Sequence, residues 1–420
     1  MPSISSIISS HQPEFAPYEK LYKHFHTHPE LSFQEEQTAA RIVDELKKLD
    51  AYELHPHIGG HGLAAVLKNG PGRTILLRAD MDALPVEEAT GVDYASTKRM
   101  KDDDGVEKPT MHACGHDIHI TALLMAAETL AKDAVRKHWS GTLILIFQPA
   151  EERGAGAQAM VDDGLYTKVP EPDVVVGGHV APWREGKIGT KRGLVAAAAD
   201  SFKLHIKGRQ AHASTPHVSI DPIVQAASTI MRLQTIVSRE VDPRDMAVVT
   251  VSSIKAGDAA NIIPQSADLK LNIRAGVEET RSKLIESISR IVSAEASASA
   301  APEPEINHLF GFPLLHNDDA LTAELEGAFA EHFTDQYDSG IERMTFSEDF
   351  GTLATAIGKP SCFFLYGGLE GEGFDRMVRE GRVKEIPGNH SPSFLPVVGS
   401  VKTGADAYVV SALKVMWKTT

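Results

Sequence analysis

Cysteine is scarce in this 420-residue chain: only Cys114 and Cys362 occur. Two thiols cannot build a disulfide framework, and their scarcity fits a reducing compartment, so a cytoplasmic location is expected. No stretch approaches the run of about 20 apolar residues needed to span a bilayer, which argues against a membrane partner. The Ser-rich start, with its brief apolar step at Ile7 and Ile8, lacks a basic region and a sustained apolar core, so no signal peptide is expected. Positive charge is also short. There are 42 Lys and Arg against 57 Asp and Glu, a formal net charge of -15, and no basic block stands apart, which argues against nucleic acid and anionic lipid as partners. No internal repeat is visible.

What is present is an ordinary globular composition, 42% hydrophobic and 24% charged, in a chain long enough for two or three domains. Apolar residues recur at helical spacing from Tyr18 to Leu49, broken at His28-Pro29. Strands are then predicted at 62–67, 74–77, 142–147 and 173–177, with helices at 119–132 and 156–162 between them. This alternation predicts an α/β sheet with helices on its faces. After Gly193 the order becomes β-α-β-β-α, with strands at 201–207, 246–255 and 267–274, helices at 221–239 and 278–296, and a last strand near 305–309. That order is ferredoxin-like. The α/β pattern resumes with a helix at 319–333, a strand at 361–365 and a helix at 401–417. The expected organisation is therefore an α/β domain in two pieces, 1–192 and 311–420, with an α+β domain of 193–310 inserted between them.

Several polar segments follow apolar strands or lie on Gly- and Pro-marked loops, where α/β sheets present ligand-binding groups. In Leu76-Leu77-Arg78-Ala79-Asp80-Met81-Asp82, strand alternation points Asp80 and Asp82 to one side. Taken alone, such a pair reads as turn or helix-capping residues. The segment Met111-His112-Ala113-Cys114-Gly115-His116-Asp117-Ile118-His119 gathers a thiol, three imidazoles and a carboxylate before a helix, the donor set that a borderline-soft ion such as zinc prefers. A core strand at 143–147 empties into Gln148-Pro149-Ala150-Glu151-Glu152. Adjacent carboxylates repel one another when desolvated, and a nearby cation is the simplest way to keep them together. His179 stands just past the strand expected at 173–177, in the segment Val174-Val175-Val176-Gly177-Gly178-His179. His24, His26, His55, His57 and His61 read as solvated loop and helix histidines, and Cys362, in Cys-Phe-Phe-Leu, as a small buried hydrophobe.

Taken in order, these segments resemble the metallopeptidase family of aminoacylase, carboxypeptidase G and succinyl-diaminopimelate desuccinylase, in particular its hippurate hydrolases and plant auxin-conjugate hydrolases. The resemblance runs from His26-Thr27-His28-Pro29-Glu30-Leu31-Ser32 through 78–85, 112–117, 148–152, 208–216, 261–264 and 347–350 to His390-Ser391-Pro392, nearly the whole chain. It implies a zinc-peptidase-like α/β catalytic domain with an inserted ferredoxin-like domain that serves as lid and dimerisation surface. It further implies two divalent ions, zinc or manganese with cobalt or nickel also accepted, held by Cys114, His116, Glu152, His179 and His390. Glu151 becomes the catalytic base and Asp82 an orienting residue. His212 would reach the active site of a partner subunit and stabilise an oxyanion, while Asn261 and Arg274 would grip the substrate carboxylate. The implied reaction cleaves an N-acyl amino acid to a carboxylic acid and a free amino acid, in a homodimer or higher oligomer. A dipeptidase or carboxypeptidase on the same scaffold, or a non-catalytic metal-binding relative, are the alternatives. Gly178 departs from the family pattern, where a larger apolar residue precedes the histidine, and Leu395-Pro396 replaces an acidic pair; both leave the acyl group open.

Overall fold

The computed structural model describes residues 2–418; Met1, Thr419 and Thr420, which fall in the outer expected segments, lie outside them. The chain divides into two units, Met1–Val195 with His316–Arg343 and Asp349–Thr420, and Ala196–Leu315 with Met344–Glu348.

The first unit is built on a mixed eight-stranded sheet. Its longer strands are β1 (Glu53–Ile58), β2 (Gly62–Lys68), β3 (Thr74–Asp80), β4 (Thr142–Gln148), β5 (Val174–Arg184) and β6 (Ser361–Leu369). They lie in the order β1-β2-β4-β3-β5-β6, followed by the short strands Ile188–Gly189 and Tyr337–Asp338. Strands β4, β3, β5 and β6 run parallel, and β1 and β2 are antiparallel additions at one edge. Both faces are covered, so the central strands read as continuous apolar runs. Alternation assigns the faces. Ile75, Leu77 and Ala79 of β3, with Leu143, Leu145 and Phe147 of β4, join the main apolar cluster. Arg78, Asp80 and Gln148 take the other face, with Asp80 paired directly beside Gln148.

Several helices bear on this cluster. The first, α1 (Ile4–His11), is capped by Ser3, which accepts from the Ser6 N–H, and buries Ile7 and Ile8; the apolar step in the Ser-rich start is thus one turn of an amphipathic helix. Next comes α2 (Phe15–Thr27), which packs on α3 (His116–Ala131). Nearly all of α3 is buried, because α4 (Ser400–Met416), α2 and the sheet enclose it. Its start depends on Gly115, whose φ of 83° suits glycine and where a Cβ would lie 2.4 Å from Val180 Cγ1.

The second unit is ferredoxin-like. Four antiparallel strands lie in the order Ala247–Ala256, Ser266–Ala275, Ala198–Lys207, Glu305–Phe312. The helices Pro222–Arg239 and Glu278–Ala298 contribute to its core. Leu204 and Ile206, Leu269 and Leu271, and Leu284 and Ile288 meet there, at the spacing each element demands. Asp221 caps the first helix by accepting from Ile223 and Val224 N–H, and Pro222 opens it. The segment Met344–Glu348 belongs here too: Arg274 donates to Thr345 O at 2.8 Å and Ser347 Oγ at 3.1 Å. Among the described residues no helix is long and apolar enough to cross a membrane.

Candidate functional site

Beyond the carboxyl end of β4 the chain cannot continue as a strand. Ala150 adopts φ 49° and Glu151–Arg153 form one 3-10 turn, closed by Gly154 at φ 58°. A Cβ at Gly156 would fall 1.6 Å from Pro149 O, so only glycine lets the chain fold back this tightly. The first two peptides of that turn are fixed by Asp82: Oδ1 accepts the Glu151 N–H at 3.1 Å and Oδ2 the Glu152 N–H at 3.0 Å. Ser32 Oγ completes this carboxylate's bonding at 2.6 Å. Asp82 therefore combines the two readings of its motif: it caps a turn, and the turn carries the adjacent glutamates.

Around these glutamates the structure gathers five side chains from four distant segments. Cys114 Sγ lies 3.4 Å from His179 Nε2, and His390 Nε2 lies 3.3 Å from Glu152 Oε2. His116 Nε2 is 3.9 Å from Glu152 Oε1 and 4.0 Å from Glu151 Oε2, while its Nδ1 is 3.3 Å from Asp82 Oδ1. Ligand atoms of Cys114, Glu152 and His390 lie within 4.8 Å of one another, as do those of His116, Glu151 and Glu152. Glu152 belongs to both groups, the geometry expected of a site with two centres. Asn389 latches the His390 loop down by donating to Cys114 O and Val180 O, each at 3.2 Å, and His390 N–H donates to Ala113 O at 2.8 Å.

The charges are out of balance without a cation. Burial and then Glu152, Glu151 and Asp80 push the Cys114 thiol well above its ordinary pKa. Burial alone would lower the His116 imidazole, but Asp80, Asp82 and Glu152 hold it up, to about 10. Burial and the neighbouring His119 drive His179 well below its ordinary value. Neither ring nitrogen of His116 makes a well-directed hydrogen bond, nor does Glu152 Oε1, although all three atoms are buried. Divalent ions fit this donor set. They neutralise the carboxylates, favour the thiolate and require neutral imidazoles, and Cys, His and Glu are all accepted by ions such as Zn²⁺.

Three residues depart from the sequence expectations. His26 is wholly buried rather than solvated: it lies on the inward face of α2 with Tyr22 and Phe25, its Nδ1 2.7 Å from Asp117 Oδ2 and its Nε2 3.0 Å from Glu88 Oε1. His179 does not end its strand, because β5 continues to Arg184 against β6; pairing with β3 stops at Gly177. Gly178 does not shape the ligand side. A Cβ there would meet the Phe364 ring at 2.3 Å, so the missing side chain is compensated inside the apolar core. Cys362 lies buried in β6. His24, His55, His57 and His61 reach the surface to varying degrees.

Sequence reasoning left a second set unassigned. Arg78 donates through Nε to Gln148 at 2.8 Å, through Nη1 to Asp80 at 2.7 Å and through Nη2 to Asp349 at 3.4 Å, all without solvent. The signal was a guanidinium inside an apolar strand, which demands buried counter-charges. His112 is buried with neither ring nitrogen hydrogen-bonded, and burial lowers it to about 4, so it stays neutral.

In the second unit His212 and Asn261 come together on a small ladder, where His212 pairs with Ile262 and Ala213 N–H donates to Asn261 O. His212 is exposed, its Nδ1 2.7 Å from Ser214 Oγ. Arg274 lies on a different strand and is held by Thr345 and Ser347.

Residues 76–380 match the model of peptidase family M20/M25/M40. The chain is 40% identical over 337 residues to the hippurate hydrolase of Campylobacter jejuni, covering 80% of this chain and 84% of that one. It is 38% identical over 347 residues to the N-acetyl-L-cysteine deacetylase of Bacillus subtilis, covering 82% and 79%. A crystal structure of a dinuclear metal-binding peptidase of the M20 family from Bacillus subtilis superposes with a TM-score of 0.73 at 28% identity, covering 96% of this chain and 98% of that one.

Proposed function

The chain belongs to peptidase family M20/M25/M40, and on that membership we propose how its site works. It is a metal-dependent hydrolase of linear amides, an amidohydrolase acting on N-acyl amino acids. The observation that carries this reading is the pair Glu151-Glu152 on one capped turn, with Glu152 shared between a Cys114–His390 group and a His116 group. Two divalent ions held by Cys114, His116, Glu152, His179 and His390 would polarise a scissile carbonyl and make water acidic near neutral pH. Glu151 accepts the proton of the attacking water. Water oxygen adds to the amide carbon, the C–N bond breaks, and Glu151 returns the proton to the departing amine, giving a carboxylic acid and a free amino acid. Asp82 orients both glutamates through their backbone.

Three imidazoles and a thiolate suit zinc, and the Glu152 carboxylate also suits manganese; cobalt and nickel are further candidates. The substrate's carboxylate is assigned to Asn261 and Arg274, and oxyanion stabilisation to His212 supplied by a second copy. That role suits an exposed imidazole on a unit built to associate. The strand Ala247–Ala256 is an edge strand with Val248 and Ile254 exposed, and the helix Pro222–Arg239 exposes Ile223, Val224 and Met231. Together they support a homodimer through this unit. Two buried free thiols, one of them a ligand, suit a reducing cytoplasm.

Retention of Glu151 and of every proposed ligand disfavours a non-catalytic relative. The test is hydrolysis of hippurate-like, indoleacetyl and dipeptide substrates before and after chelation, with Zn²⁺, Mn²⁺, Co²⁺ and Ni²⁺ added back singly. Activity on acyl amino acids that chelation abolishes and one ion restores is expected; full activity after verified metal removal would overturn the mechanism.

A further inference from the structure

Of the three histidines at 112–119, the proposed ligand set uses one. His119 is wholly buried one turn along α3 from His116, its ring centroid 5.2 Å from that of His116 and 4.4 Å from that of His179. Its ligand atom lies within 4.8 Å of those of Asp80, His116 and His179, so donor chemistry alone would admit all four as a metal group. Hydrogen bonding decides otherwise. The Val180 N–H donates to His119 Nε2 at 2.9 Å. A backbone N–H can only donate, so Nε2 carries the lone pair and the ring proton sits on Nδ1, which donates to Asp80 Oδ1 at 2.5 Å. The other Asp80 oxygen accepts from Arg78 Nη1. His119 thus has both nitrogens engaged, and Asp80 both oxygens.

The consequence falls on the neighbouring ligand. His179 Nδ1 donates to Val180 O at 2.8 Å, which leaves its lone pair on Nε2, the atom 3.4 Å from Cys114 Sγ. Val180 O also accepts from Asn389 at 3.2 Å. Val180 is therefore gripped at both its N–H and its C=O, immediately after the residue whose imidazole must be aimed. We propose that His119 is a positioning residue: by tying the Val180 N–H to Asp80, it fixes the backbone from which His179 projects and directs His179 Nε2 toward Cys114. The proposal rests on His179 being a ligand.

Two amide replacements separate the links. His119→Gln can place a carbonyl oxygen near the position of Nε2 and so accept from Val180 N–H; His119→Asn is too short to do so but can still reach Asp80. Full-length protein, stripped and reconstituted with Co²⁺, is followed by calorimetry and by its visible absorption bands, with unfolding curves as the folding control. His119→Asn should weaken one of two Co²⁺ equivalents about 10- to 100-fold and alter the spectrum. His119→Gln should keep affinity within a few-fold and a wild-type spectrum. A folded His119→Asn with wild-type affinity and bands, or a folded His119→Gln that loses as much as the Asn variant, would overturn the proposal. If His119→Asn does not fold, His119→Gln alone decides: a weakened equivalent or altered bands overturn it. His179→Ala distinguishes the failures. If it too binds both equivalents normally, the ligand reading has failed; if it loses one while His119→Asn does not, only the positioning role has.

Discussion

One inward face of the first unit's sheet is filled in the opposite way to the core of the second unit. In the first, the sheet face bearing Arg78, Asp80 and Gln148 meets Asp349, His116 and His119, all shielded from water. In the second, inward positions such as Leu204, Leu271, Leu284 and Ile288 are aliphatic, and the candidate functional residues His212 and Asn261 lie at the surface. Buried charge is tolerated only where every partner is present, so the first unit's chemistry is assembled as it folds and each member is hard to remove. Surface groups carry no such debt to the fold. They can act only when something else is brought to them.

The comparison can be broken at four points, in descending order of expected effect. Glu151→Gln removes the proton acceptor without removing a proposed ligand, so turnover should fall about 10³-fold while bound metal, measured by elemental analysis, stays the same. Comparable turnover in that variant would remove Glu151 from the mechanism. Arg78→Met leaves Asp80 and Asp349 buried without their guanidinium and should destabilise folding by about 3–5 kcal/mol in denaturant titration; a loss below about 1 kcal/mol would mean the buried network is dispensable. His212→Ala, on the exposed side of the comparison, should lower kcat about 100-fold with an unfolding midpoint unchanged. Unaltered kcat there would leave the second unit without a catalytic contribution.

The smallest effect is a pH dependence. Burial disfavours the His26 imidazolium, yet Asp117 and Glu88 outweigh it and raise this residue from 6.5 to about 9. Its stabilising contribution is therefore complete below about pH 6.5 and lost as pH rises through about 9, where the folded protein releases a proton that the unfolded chain has already shed. Wild-type stability should fall across that window, and His26→Asn should flatten the fall. Parallel stability curves for the two proteins would contradict the buried imidazolium.

Much of the architecture was legible in residue order. A short apolar run marked the strand expected at 142–147, period-two alternation the strand expected at 267–274, and 3.6-residue spacing the helices expected at 278–296 and 319–333, close to the elements the structure forms. The short strand Glu53–Ile58 was missed, since its sequence Glu-Leu-His-Pro-His-Ile is only weakly alternating and it is paired on one side alone. The extension of β5 beyond Gly177 was missed as well. The expected strand ended at Gly177, whereas the rings of Phe350 and Phe364 fill the space beside Gly177 and Gly178 and the strand runs on to Arg184.

The sequence by itself determined which donor types were available and that they sat at strand ends and loops, because chemistry is local to a side chain. It could not say which nitrogen of which histidine was free. His116 and His119 share one segment and His26 reads as a helix histidine, yet His26 is held between two carboxylates, His116 faces the glutamates, and His119 is closed off by a backbone N–H and Asp80. Those assignments depend on groups tens of residues away in the chain. Only packing brings them within hydrogen-bonding distance, and so only the tertiary structure could decide them.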